Sequence, residues 1–218
     1  MKIRNKTIIL LVGIAALIFF TINVAAAGDS SNDIWHQKWT GSAYSWEAYS
    51  ESKNNIDISD VSYSIDGTTA TLTMTTVGPM TPNTENVVYT MHLKSSDSAY
   101  YMIVYSNGEG GVVGMGEYAG FGSELENPIA GNKFTASFEI SNPDATYSIV
   151  GFNVEHSDPD AEHGEAWWDY APNTVAPYYS ANGGNGEQNG TPAPNTPGFE
   201  LLVLIISIGT IIFIFKRK

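Results

Sequence analysis

Apolar and polar residues alternate along the middle of this chain in short runs, each closed by turn-forming residues. Val61-Ser62-Tyr63-Ser64-Ile65 alternates, Asp66-Gly67 follows, and Ala70-Thr71-Leu72-Thr73-Met74 alternates again. A period of two sends every second side chain to one face of a strand, and Asp-Gly supplies the positive φ of a tight turn, so this stretch predicts a hairpin. Val87, Tyr89, Met91 and Leu93 share one face of the next run, with Val88, Thr90 and His92 on the other. Phe134, Ala136, Phe138 and Ile140 alternate with Thr135, Ser137 and Glu139, and Val150, Phe152 and Val154 alternate with Gly151 and Asn153. Tyr100 to Tyr105 is apolar throughout, which predicts a strand covered on both sides. With the Trp35 to Trp39 and Tyr44 to Tyr49 segments, about eight or nine strands are expected at roughly 10- to 15-residue intervals. No stretch has a convincing helical period. The expected fold is all-β, two packed antiparallel sheets forming a sandwich.

The two ends break this pattern. Lys2, Arg4 and Lys6 precede an apolar stretch from Thr7 to Val24, and Ala25-Ala26-Ala27 supplies small residues of the kind a signal peptidase accepts. Residues 1–27 are therefore expected to be a signal peptide cut after Ala27; an uncleaved first transmembrane helix is the competing reading. At the far end an apolar run from Leu201 to Phe215 is followed by Lys216-Arg217-Lys218. As a helix it covers roughly 25 Å, slightly short of a 30 Å hydrocarbon core, and the basic trio holds the terminus on the cytoplasmic side. Between the sandwich, expected over residues 28–176, and this anchor, residues 177–197 are rich in Gly, Asn and Pro. Such a segment has too little apolar surface to repay ordering and reads as a stalk. Asn189-Gly190-Thr191 within it is a glycosylation sequon, with Asn189 the acceptor.

Pro197-Gly198-Phe199, one apolar helix and the terminal basic cluster together resemble the PGF-CTERM sorting signals of archaeal surface proteins. The resemblance covers residues 198–218 and the preceding Pro197. It implies an archaeosortase-type processing enzyme as a partner, cutting near the tripeptide, with lipid attached to the new end. Glu200 directly after the tripeptide and two Lys in the tail depart from that pattern. A plain, uncut single-pass anchor is the alternative; both tether the product to the outer face of the membrane.

Charge narrows the function classes further. Between Gly28 and Glu200 lie all 23 acidic residues against four lysines (Lys38, Lys53, Lys94 and Lys133), a formal charge of −19. A surface so charged repels nucleic acid, whose phosphates need clustered Lys and Arg. Cysteine is absent, which removes disulfides, thiolate metal sites and a cysteine nucleophile; stability rests on a packed core. No Gly-x-Ser-x-Gly elbow, His-Glu-x-x-His or phosphate loop occurs, so catalysis is not expected, and Gly108-Glu109-Gly110-Gly111 reads as a turn.

The run from Ile56 to Met74, an aspartate-led strand and then a second strand entered through Asp66-Gly67, resembles the opening hairpin of DOMON-like domains. These sandwiches are related to the family-nine carbohydrate-binding modules. The Phe134 to Ile140 strand and the closing Asp169-Tyr170-Ala171-Pro172-Asn173 suit the same pattern, so the likeness spans about 110 residues. It implies binding of sugar or haem without catalysis; an unclassified immunoglobulin-like sandwich is the structural alternative. For haem, Met102, Met115, His92 and His156 are available, but no local motif matches residue by residue.

Two clusters carry candidate chemistry. Trp35, Trp39 and Trp46, with Tyr44 and Tyr49, crowd the first strands, and Trp167 and Trp168, with Tyr170, crowd the last. Flat rings flanked by polar groups suit a sugar, though aromatic side chains also fill sandwich cores. The run from Glu155 to Glu165 offers Glu155, Asp158, Asp160 and Glu162 as oxygen ligands for calcium, or His156 and His163 for zinc or copper. A solvated acidic loop is the plain alternative. The combined expectation is a membrane-anchored extracellular protein that binds carbohydrate or a neighbouring envelope component. A purely structural envelope protein and a haem-bearing electron-transfer module are the alternatives.

Overall fold

A computed structural model describes residues 23–115, 122–161 and 163–173. Thirteen strands lie among them: β1 (Asn23–Gly28), β2 (Trp35–Trp39), β3 (Tyr44–Ala48), β4 (Ile58–Asp66), β5 (Thr69–Thr76), β6 (Val87–Ser95), β7 (Tyr100–Ser106), β8 (Glu109–Met115), β9 (Gly122–Glu124), β10 (Ile129–Ala130), β11 (Lys133–Glu139), β12 (Tyr147–His156) and β13 (Ala166–Ala171). They form a five-stranded sheet in the order β1-β4-β5-β11-β10 and an eight-stranded sheet in the order β3-β2-β13-β12-β6-β7-β8-β9. Every pairing is antiparallel. The two sheets make a sandwich-like arrangement, as the alternation predicts. The count exceeds eight or nine because β1, β8, β9 and β10 lack a legible period of two. The expected signal peptide falls outside the described residues up to position 22. The expected sequon at Asn189, the Pro197-Gly198-Phe199 signal and the terminal anchor also lie outside them.

The core follows from strand parity. Val61, Tyr63 and Ile65 of β4 and Ala70, Leu72 and Met74 of β5 are buried, as are Phe134, Ala136 and Phe138 of β11. From the facing sheet come Val87, Tyr89, Met91 and Leu93 of β6 and Tyr101, Ile103 and Tyr105 of β7. The Asp66-Gly67 turn closes the β4–β5 hairpin with Gly67 at φ 57°, where a β-carbon would be strained. Tyr63 donates its hydroxyl hydrogen to the Tyr147 carbonyl at 2.9 Å, linking the sheets by a buried hydrogen bond.

β12 reverses the expected assignment of faces. Gly151 and Asn153, not Phe152 and Val154, point between the sheets. A β-carbon on Gly151 would lie 2.8 Å from Met74 Cε and 3.4 Å from Val61 Cγ2, both on the opposite sheet. Asn153 is buried there and donates from Nδ2 to the Ile56 carbonyl at 2.8 Å. Phe152 and Val154 are buried on the outer side, where a second, smaller apolar cluster forms. The alternation from Val150 to Val154 points to the outer face, whereas Tyr147 and Ile149, on the parity of Gly151, join the main core. The stretch read as a Gly-rich turn also differs: Asn107-Gly108 turns, and Gly110 and Gly111 belong to β8, paired with Tyr105 and Val104.

β1 begins before the expected cleavage point. Its six residues pair with β4 from Asn23↔Ile65 to Gly28↔Asp60, and Ala25 and Ala27 pack partly against the core. A cut after Ala27 removes five of those six residues.

Candidate functional site

Four strands at one end of the eight-stranded sheet bring most of the tryptophans together. β3 pairs with β2, β2 with β13, and β13 with β12. In that register Trp39 stands opposite Tyr44, Gln37 opposite Trp46, Trp35 opposite Trp168, and Phe152 opposite Tyr170. Paired residues in a sheet share a face, so Tyr44, Trp39, Trp46, Trp35, Trp168, Tyr170 and Phe152 all lie on the outer side.

On this face the rings meet in two sets, Trp39 with Tyr44 and Trp46 through Trp168 and Tyr170 to Phe152. Trp39 meets Tyr44 edge-on at 5.0 Å, Trp46 meets Trp168 at 5.9 Å, Trp168 stacks with Tyr170 at 6.3 Å, and Tyr170 stacks with Phe152 at 5.8 Å. Phe152 and Tyr170 are buried at the inner end of the second set; Trp35, Trp39, Trp46 and Trp168 are half-buried, and Tyr44 at the edge is 40% exposed. Polar groups are set among the rings. Gln37 accepts from Trp168 Nε1 at 3.2 Å, which fixes the indole plane. His163 lies flat on Trp39, with ring centroids 4.0 Å apart and planes 10° from parallel. A half-buried aromatic surface with fixed planes and interspersed hydrogen-bonding groups can receive a flat, partly apolar ligand face.

Trp167 does not belong to this row. It neighbours Trp168 in β13 and therefore points to the opposite side. There it stacks on His36 at 4.9 Å and carries the Lys53 ammonium 3.8 Å above its ring, a cation–π contact. Lys53 also pairs with Glu155 at 2.5 Å, and Asn55 Nδ2 donates to the same carboxylate at 2.8 Å. His36 is buried between Glu47 at 3.4 Å and Glu165 at 3.1 Å.

The carboxylates expected to hold calcium stand in different surroundings. Glu155 is held by Lys53 and Asn55, whereas Asp158 and Asp160 are exposed, with Asp158 Oδ1 accepting from the Asp160 backbone N–H at 3.0 Å. Glu162 lies outside the described residues. His156 is near Trp168, at 6.3 Å edge-on, while His163 is on Trp39, so the two imidazoles serve separate aromatic partners. Burial lowers the His156 pKa from its usual value.

The groups available for haem are also constrained. His92 stands opposite Met102 in the β6–β7 register, and its Nδ1 is bonded to the Tyr100 hydroxyl. Burial depresses the His92 pKa to about 3, so the ring is neutral at physiological pH. Burial first, then the adjacent Asp169 charge, pushes the Tyr170 phenol upward. The Met115 side chain is outside the description.

Sequence reasoning included six of the seven outer-face residues, four of them as candidate ligand contacts, but missed Phe152. Phe152 reaches this face through its pairing with Tyr170 across two strands distant in sequence, which no local spacing reveals. Compared with protein-family models, curated proteins and solved structures, the chain matches none of them.

Proposed function

We propose that this chain is a membrane-tethered, extracellular binding protein whose sandwich recognises carbohydrate, free or carried by a neighbouring envelope component, without catalysing a reaction on it. The observation that carries this reading is the row Tyr44, Trp39, Trp46, Trp35, Trp168 on one outer sheet face. The C–H faces of a sugar ring pack on indole and phenol planes, and its hydroxyls exchange hydrogen bonds with groups such as Gln37 and His156. The DOMON-like reading of the sandwich agrees with this use of the outer face.

The tether rests on the two apolar ends and the Pro197-Gly198-Phe199 signal. The strongly acidic middle supports an extracytoplasmic, cation-rich setting and argues against nucleic acid.

A glycan array probed with the detergent-purified chain tests the ligand class. Binding to a defined set of glycans that Trp39→Ala and Trp168→Ala both weaken at least about tenfold is the expected result, since each ring contributes on the order of 1–2 kcal/mol. No glycan retained by the wild-type chain would leave a purely structural coat protein as the better reading.

A further inference from the structure

Four aspartates from separate parts of the chain meet where the two sheets join. Asp29 follows β1 in the five-stranded sheet, Asp33 precedes β2 in the eight-stranded sheet, Asp57 precedes β4, and Asp169 lies within β13. One carboxylate oxygen from each of Asp29, Asp33 and Asp169 lies within 4.8 Å of the others. Asp57 is tied to the same loop, since its Oδ2 accepts from the Asn32 backbone N–H at 2.9 Å.

Each carboxylate has one anchored oxygen and one idle oxygen. Asp169 Oδ2 accepts from the Ile58 N–H at 2.5 Å, and Asp33 Oδ2 accepts from Asn173 Nδ2. Asp169 Oδ1, Asp57 Oδ1, Asp33 Oδ1 and Asp29 Oδ2 are shielded from solvent and have no hydrogen-bond partner. Asp57 and Asp169 are each 0% exposed. The ion pairs formed among the described residues go to Glu47, Glu155 and Glu165 instead. An idle carboxylate oxygen in a dry site is strongly disfavoured unless a cation or proton meets it.

We propose that Asp29, Asp33 and Asp169, with Asp57 beside them, form a calcium site that fastens the β1–β2 crossing to the interior of both sheets. The donors are all oxygen, with no imidazole or thiolate among them, which selects a hard cation. Ligands on opposite sides of calcium, each at about 2.4 Å, stand about 4.8 Å apart, and several carboxylates in one shell suit calcium better than the smaller, water-retaining magnesium. The electrostatics agree: burial, then the neighbouring Asp33 charge, raises the Asp29 pKa to about 7, and burial raises Asp169 well above its usual range. A cation among these carboxylates would offset both shifts, because a positive charge favours the ionised form that burial disfavours. The rival arrangement is a cluster neutralised by protons.

The test uses the full chain in detergent, stripped with a chelator and titrated with calcium chloride or magnesium chloride by calorimetry and by thermal unfolding. Calcium is expected to bind at one site and to raise the unfolding midpoint by about 5–10 °C at a concentration 100-fold above its Kd. Asp33→Asn, at the half-buried rim where folding is least at risk, is expected to weaken binding at least tenfold. The double variant Asp158→Asn/Asp160→Asn, in the exposed turn, is expected to bind like wild type. No heat and an unchanged midpoint at 10 mM calcium overturn the proposal in favour of the protonated cluster. A response lost in the double variant but kept in Asp33→Asn, or one stronger for magnesium than for calcium, overturns it as well.

Discussion

Gly110 and Gly151 hold space for their neighbours, and the two cases differ in what a methyl group would strike. At Gly110 a β-carbon would lie 2.5 Å from Tyr105 Cδ2 and 2.8 Å from the Val104 carbonyl oxygen, part of the backbone. At Gly151 it would meet the flexible end of Met74. Alanine in a strand ordinarily gains up to about 1 kcal/mol over glycine by restricting the unfolded chain. Gly110→Ala is therefore expected to destabilise by about 1–3 kcal/mol in chemical denaturation, and Gly151→Ala by less, because Met74 can turn aside. A neutral Gly110→Ala would show that β7 and β8 are not so closely apposed.

His92 makes a pH-dependent contribution of known sign. Its folded pKa of about 3 lies below the ordinary 6.5, and burial alone accounts for the shift. Between those values the unfolded chain holds a proton that the folded chain refuses. The contribution is thus complete above pH 6.5 and is lost as pH falls toward 3, with each pKa unit worth about 1.4 kcal/mol. The Tyr100 hydroxyl on Nδ1 and the Phe152 ring at 5.2 Å are the groups packed against it. Comparing wild type with His92→Gln at pH 7 and pH 4 should show wild type losing on the order of 2 kcal/mol more than the variant on acidification. Equal losses would mean that water reaches the ring.

Among the elements, the strands with one apolar face were legible, and so was β7, whose continuous apolar run is buried on both sides; the inner face of β12 was not. β4, β5, β6 and β11 each bury the residues that the alternation marks. β12 is apolar on one parity and carries Gly151 and Asn153 on the other, yet the second parity faces the core, because Gly151 admits Met74 and Asn153 bonds Ile56. No one-dimensional pattern reveals that exchange, which depends on what the opposite sheet presents. The Trp167-Trp168 pair carries a related lesson: adjacent strand residues must diverge, and Trp167 joins His36 and Lys53 while Trp168 joins the outer row. The calcium reading of residues 155–162 relied on closeness in sequence, whereas the gathered aspartates come from positions 29, 33 and 169. Their hint was an acid enclosed by apolar neighbours, as in Ile56-Asp57-Ile58 and Trp168-Asp169-Tyr170, in a region with only four lysines.

β1 supplies the prediction at this scale. If processing removes residues through Ala27, the β4 edge loses its antiparallel partner, since five of the six paired positions go with it. Backbone amides of β4 are then expected to exchange with solvent faster in a chain beginning at Gly28 than in one retaining Asn23–Gly28, while β5 amides paired with β11 stay protected. Equal protection of β4 in both chains would show that another strand takes the place of β1.

At the scale of the whole molecule, the all-β architecture follows from the alternation, and the division of labour follows from the two sheet faces. Inner faces build the core, the seam between sheets gathers aspartates, and the outer face of β3-β2-β13-β12 displays aromatic rings in a fixed order. The tether expected from the termini would set that face outside the membrane, where a −19 charge between Gly28 and Glu200 keeps the sandwich soluble and attracts cations. The central claim is that the aromatic row is a ligand surface rather than a seal over the sheet. Titrating soluble oligosaccharides into the full chain while following indole emission tests it most directly, with Trp46→Ala and Trp168→Ala beside a Trp167→Phe variant on the opposite side. The account predicts a saturable change that both outer substitutions weaken at least about tenfold and that Trp167→Phe retains. No saturable change with any oligosaccharide, or one abolished by Trp167→Phe and untouched by the outer substitutions, would contradict it.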